Sequence, residues 1–209
     1  MNARLAPRRA CAATALAACF AALAAPASAW AQTTPVVTGD ATISSGALAG
    51  SKGVLSVNEA AGLDNAQSNQ AAIVAAPSGG VDTNVAQSAQ AHARVPSAQT
   101  SIEDGALSNV SGVAMVNQAA GAANLQRNSV VLGAAAIGVE SVSDSELSAA
   151  SPKQGRVDVS AMGQGERAVR IGNDVLKNAS GIAQINQTAG AGNTTANSFV
   201  LRPPAGTFF

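Results

Sequence analysis

The sequence predicts an all-β fold: a short β-solenoid, or stacked β-arch or hairpin repeats, with irregular linkers and an N-terminal signal helix ahead of them. Three observations carry this. One segment recurs three times without gaps, at residues 43–74, 102–132 and 171–201. Glycine and asparagine return at fixed offsets inside each copy, and large aromatic side chains are nearly absent.

The first element is the leader. Arg4, Arg8 and Arg9 precede an alanine-dominated apolar run that contains Leu16, Phe20 and Leu23, with no acid among them. A basic start, an apolar run and small residues at a cleavage point make a secretory signal peptide. Cleavage fits after Ala29 or after Ala31, and the polar stretch opened by Gln32 favours the second, giving a signal peptide over residues 1–31. Leu16-Ala17-Ala18-Cys19 has the form of a lipobox, but the chain stays apolar beyond Cys19, which favours an unlipidated export signal. With the leader removed, Cys11 and Cys19 go too, so no disulfide or thiol chemistry is expected.

The remaining chain has nine basic and twelve acidic side chains, a net charge of −3 with the signs scattered, and so no basic footprint for nucleic acid. Its aromatic residues are Phe199, Phe208 and Phe209. A core of small side chains is stable only where regular backbone pairing and close stacking replace bulky packing, which is the economy of repeat architectures. No later segment reaches the roughly 18 apolar residues of a membrane-spanning helix.

An extended arm, residues 32–42, leads into the repeats, whose starts lie 59 and 69 residues apart. Each copy carries an apolar residue (Leu48, Leu107, Leu176), a glycine (Gly53, Gly112, Gly181), an asparagine (Asn58, Asn117, Asn186) and a second glycine (Gly62, Gly121, Gly190). Two more asparagines follow in step: Asn65, Asn124 and Asn193, then Asn69, Asn128 and Asn197. Alternation puts Val113, Met115, Asn117 and Ala119 on one face of a strand and Ala114, Val116, Gln118 and Ala120 on the other, with apolar residues on both. In the second arm Asn124, Gln126, Asn128, Val130 and Leu132 share a face, which should look inward. Alanine, leucine and glutamine also suit a helix, but bracketing glycines and β-branched residues favour strands joined by a turn or arch at Gly121-Ala-Ala-Asn124.

Asparagine within a strand needs a reason. Rungs stacked about 4.8 Å apart let side-chain amides donate and accept along the stack, so that buried polar groups find partners. Asn58, Asn117 and Asn186 are expected in such a ladder. Asn65, Asn124 and Asn193 fit either a ladder or a left-handed turn. Glu59 stands where the other copies have Gln118 and Gln187, which places a charge in the column and marks the first repeat as an end cap.

Residues 75–101 and 133–170 read as linkers, with Pro77, Pro96 and Pro152, a degenerate half-repeat at 142–147 and an edge-strand candidate at 156–160. The tail, residues 202–209, ends on Phe208 and Phe209, either a docking handle or folded back onto the last repeat.

The pattern Gly112-x4-Asn117-Gln118-x2-Gly121-x2-Asn124-x3-Asn128 resembles the repeats of bacterial functional amyloids, in particular Fap-type fibre systems and exported relatives described as adhesins. It is also similar to the curlin repeat, whose core is one residue shorter between glutamine and glycine. The resemblance covers 94 of the 209 residues. It implies export, a cross-β or solenoid fold, association with itself or with related repeat subunits, a place in an extracellular fibre or biofilm matrix, and room for an outer-membrane secretion partner.

Catalytic signals are lacking. His92 is the sole histidine and lies in a linker, the carboxylates are dispersed, and Gly163-Gln-Gly165 lacks the rest of a dinucleotide site. No enzyme, metal or cofactor is expected. The functional expectation is an exported structural protein at the cell surface, in the extracellular matrix or in the periplasm. It is expected as a subunit or minor component of an extracellular functional-amyloid fibre or biofilm matrix, self-associating through its Asn/Gly repeats. The alternative is a soluble periplasmic or surface accessory or adhesin module that caps, chaperones or binds such fibres.

Overall fold

The computed structural model describes residues 34–74, 87–133 and 165–201. The leader with both cysteines, the half-repeat at 142–147, the strand candidate at 156–160 and the terminal phenylalanines lie outside the described residues.

Among the described residues there are strands and no helix. The strands are β1 (Val36–Ile43), β2 (Lys52–Leu63), β3 (Ala66–Val74), β4 (Arg94–Ile102), β5 (Ser111–Ala122), β6 (Leu125–Gly133), β7 (Glu166–Ile171), β8 (Ser180–Ala191) and β9 (Thr194–Leu201). Every third strand pairs in parallel, giving three sheets in the orders β1-β4-β7, β2-β5-β8 and β3-β6-β9. The chain therefore makes three rungs of three strands, stacked as a solenoid. The fold is all-β, as the repeats indicate.

Register is residue on residue. Gly53 pairs with Gly112 and Gly181, Asn58 with Asn117 and Asn186, and Gly62 with Gly121 and Gly190. In the outer sheet Asn69 pairs with Asn128 and Asn197. Glycine is needed at the two glycine columns because φ is positive there, 126° at Gly112 and 115° at Gly121. A Cβ on Gly121 would run into the Gly190 carbonyl, and one on Gly112 into that of Gly53.

The middle sheet is sandwiched. One face of β5 packs Ala114 and Val116 against Ile102 and Leu107, and Ala120 and Ala122 against Ala98 and Val95. Its other face packs Val113 and Met115 against Val130 of β6. Burial on both faces explains why apolar residues occupy both alternating sets, as in parallel sheets generally.

Each rung contains one strand more than the two arms of its repeat. β1 occupies most of the arm at 32–42, and β4 and β7 fall at the ends of the linkers. Pairing slips between Val36 and Thr38, where two residues of β4, Val95 and Pro96, oppose Val37 alone. A bulge is where a strand tolerates a proline, since the unpaired residue needs no amide hydrogen.

Between the first and second strand of each rung runs a chain of overlapping β-turns. In rung 1 the amides of Ala47, Ala49 and Ser51 donate to the carbonyls of Ser44, Gly46 and Leu48 at 3.0, 3.3 and 3.4 Å. The third residue of each turn has positive φ, at Gly46, Leu48 and Gly50. The turns also pair between rungs, with Leu107 N donating to Ala47 O at 2.8 Å and Leu176 N to Ala106 O at 3.2 Å.

Leu48, Leu107 and Leu176 thus hold φ of 63°, 57° and 59°, a conformation costing a non-glycine residue about 1–2 kcal/mol. Leu107 is fully buried against Ile102 and Val116, and burying a leucine contributes about 1.5–3 kcal/mol. Burial outweighs the backbone cost. At most sites glycine is a worse replacement than alanine. Here Leu107→Ala should cost about 2–5 kcal/mol, and Leu107→Gly no more than that, because glycine removes the left-handed strain. Chemical denaturation of both variants checks this, and a clearly less stable glycine variant would contradict it.

Candidate functional site

The repeat residues converge on two seams. Between the middle and outer sheets, Asn117 Nδ2 donates to Asn58 Oδ1 at 3.0 Å and to Asn69 Oδ1 and the Ser68 carbonyl at 2.9 Å. Asn128 Nδ2 donates to Asn69 Oδ1 at 2.9 Å, Asn117 Oδ1 at 3.0 Å and Val116 O at 3.1 Å. One rung on, Asn186 Nδ2 reaches Asn117 Oδ1 and Asn128 Oδ1, and Asn197 Nδ2 reaches Asn128 Oδ1 and Asn186 Oδ1, all at 3.0 Å. Two asparagine columns are laced into one network.

Asn65, Asn124 and Asn193 form a third column at the arch. Asn124 Nδ2 donates to Asn65 Oδ1 and Asn193 Nδ2 to Asn124 Oδ1, both at 2.8 Å. The backbone amides of Asn124 and Asn193 donate to the same oxygens at 3.0 and 3.2 Å. Positive φ falls one residue earlier, on Asp64, Ala123 and Gly192. The arch asparagines therefore bond along the stack and leave the left-handed position to their neighbours.

The second seam lies between the first and middle sheets. Gln118 Nε2 donates to Glu59 Oε2 at 2.9 Å and to the carbonyls of Ala41 and Ser101 at 3.0 and 2.9 Å. Gln187 Nε2 donates to Gln118 Oε1 at 2.7 Å and to Arg170 O at 3.2 Å. Glu59 keeps its place in the column because a carboxylate accepts as well as an amide oxygen does. It has no N–H to pass on, however. Its Oε1 instead takes the amide of Thr42 on the edge strand β1 at 2.8 Å.

Gln67 and Gln126 also enter the inter-sheet seam: Gln67 Nε2 donates to Gln126 Oε1 at 2.7 Å, and Gln126 Nε2 to the Gln118 carbonyl at 2.9 Å. Chemically this is a polar spine with its hydrogen bonds closed within the stack. His92 lies exposed ahead of β4. Among the described residues no three His, Cys, Asp or Glu side chains group to hold a metal ion.

Asn117 is fully buried with its amide spent on three oxygens. Asn117→Asp replaces those donations with a buried charge facing acceptors, at a cost of about 3–5 kcal/mol. The same change at Asn193, on the outermost rung, should cost less than half as much. Thermal melts of the two variants check the order, and equal losses would overturn the ladder as the source of stability.

No solved structure matches the chain. A family match covers residues 21–204, and so takes in all three rungs. The chain belongs to the functional amyloid protein FapB/FapC family.

Proposed function

We infer that the chain is an exported structural protein, a subunit or minor component of an extracellular functional-amyloid fibre or biofilm matrix, which self-associates through its Asn/Gly rungs. Its role is structural and not catalytic. The carrying observation is that, among the described residues, parallel, in-register sheets end on strands with no further partner at both sides, β1, β2 and β3 at one and β7, β8 and β9 at the other. Such edges offer rows of backbone donors and acceptors to another chain. The family supports the same reading, since functional amyloids act by assembling.

The burial of rung 2 indicates what another rung does for its neighbours. Val113 and Leu107 are buried there, whereas their rung-1 counterparts Val54 and Leu48 are 52% and 37% exposed. At the far end Ile171, Leu201 and Phe199 stand 59%, 50% and 37% exposed.

Fibre diffraction on the purified chain after quiescent incubation, with amyloid-dye fluorescence in parallel, tests the reading. Reflections near 4.8 Å and about 10 Å are expected. A β-rich monomer that forms no fibres and binds no dye would instead assign the chain to the accessory or adhesive role.

A further inference from the structure

This inference rests on the self-association just described and specifies its joint. We propose that a second copy docks head to tail, its rung 1 on the rung-3 edge of the first, and that Glu59 and Arg167 are charged guards that must be displaced for it to do so.

The asparagine columns set the direction. In all three, the amide of each rung donates to the oxygen of the rung before it. Among the described residues the Asn58 amide of rung 1 has no rung before it to donate to. Asn69 Nδ2 donates to Val57 O and Asn58 Oδ1 at 2.9 Å and to Met115 O at 3.3 Å, and Asn65 Nδ2 to Gly121 O at 3.3 Å. An incoming rung 1 would turn these amides to the oxygens of Asn186, Asn193 and Asn197, which have no described rung beyond them, as each inner rung does. Only rung 1 on rung 3 matches donors to acceptors. The same docking continues the apolar columns, placing Ile73 on Leu201, Ile43 on Ile171 and Val54 on Ile182, with the registers seen within the chain. An open groove between β8 and β9, lined by Ile182, Gln184, Asn197 and Phe199, lies at this edge.

Each end carries one side chain that breaks the pattern. Arg167 stands at the register of Gly39 and Ala98, where the other rungs have the smallest residues. It crosses the edge of β8: a Cβ on Gly190 would lie 2.9 Å from Arg167 Nε and 3.1 Å from Cδ. On Gly62 and Gly121 the same vector points at the glycine carbonyl of the next rung. The arginine thus fills the place that Gly62 of an incoming copy would take. At the other end Glu59 holds the edge amide of Thr42, and its carboxylate would meet Gln187 Oε1 of the first copy, acceptor against acceptor. Charged side chains at open edges are a known means of blocking strand addition. The other charges on the strands that meet at the joint are Arg170 opposite Thr42, Asp40 opposite Ala168, Glu166 opposite Thr38 and Lys52 opposite Ser180, all exposed.

Seeded elongation of the purified chain, its E59Q variant and its R167A variant, each checked for a native-like circular dichroism spectrum, decides the matter. The substitutions install the residues of rung 2, Gln118 and Ala98. Each variant is expected to elongate several-fold faster than the unaltered chain. Acceleration by E59Q alone or R167A alone supports the joint with a guard at that end only. Equal or slower growth of both, while the unaltered chain still forms fibres, overturns the guarded joint and leaves the assembly reading standing. Absence of fibres from all three removes the assembly reading itself.

Discussion

Asn117 lies at zero exposure between two sheets, and an amide buried there without partners would lose about 1–3 kcal/mol for each unmet group. The stack meets this demand with copies of the same residue. Because Asn58, Asn117 and Asn186 sit directly over one another, each amide finds an identical neighbour at bonding distance, and the second column at Asn69, Asn128 and Asn197 takes what remains. A slip of one residue in any rung would set asparagine over valine or glutamine and leave several amides buried without partners. The polar spine therefore specifies the register, while the alanine and valine packing on either side supplies most of the cohesion.

The rest of the rung follows from holding that register. Strands stacked so closely need glycine wherever the backbone turns toward the next rung, at the columns of Gly53 and Gly62. Small side chains fill the space between the first and middle sheets, where a Cβ on Gly39 would already press to 2.6 Å from the Ala61 carbonyl. The shortage of aromatic residues suits this packing: among the described residues the one aromatic side chain, Phe199, stands on the rung-3 edge, 37% exposed, in the register where rung 2 has Val130.

How much of this was legible depends on whether a side chain or the backbone carries the contact. β2, β5 and β8, with their partners β3, β6 and β9, could be read because side chains bond like to like, so the same letter recurs at the same offset. β1, β4 and β7 leave little trace. They are held by main-chain pairing, which any residue supplies, and their shared register runs through Gly39, Ala98 and Arg167, with a proline bulge in one copy. The leucine turn was also opaque: the recurring Leu48, Leu107 and Leu176 were visible, but nothing local suggests a left-handed leucine, and tertiary burial overrides the backbone preference. The arch asparagines were readable only as a choice between two roles, because turn chemistry and ladder chemistry favour the same residue.

Asn117 bonds to partners 59 residues behind it and 69 residues ahead, yet the geometry at the two steps is the same. Connection length and register are therefore decoupled. Closing a longer loop costs only a logarithmic increment, well under about 1 kcal/mol for a change of this size. Sequence between rungs is thus free to grow, shrink or acquire a foreign module without disturbing the columns. A gene that duplicates one rung gains a working unit at once, whatever spacer is copied along with it.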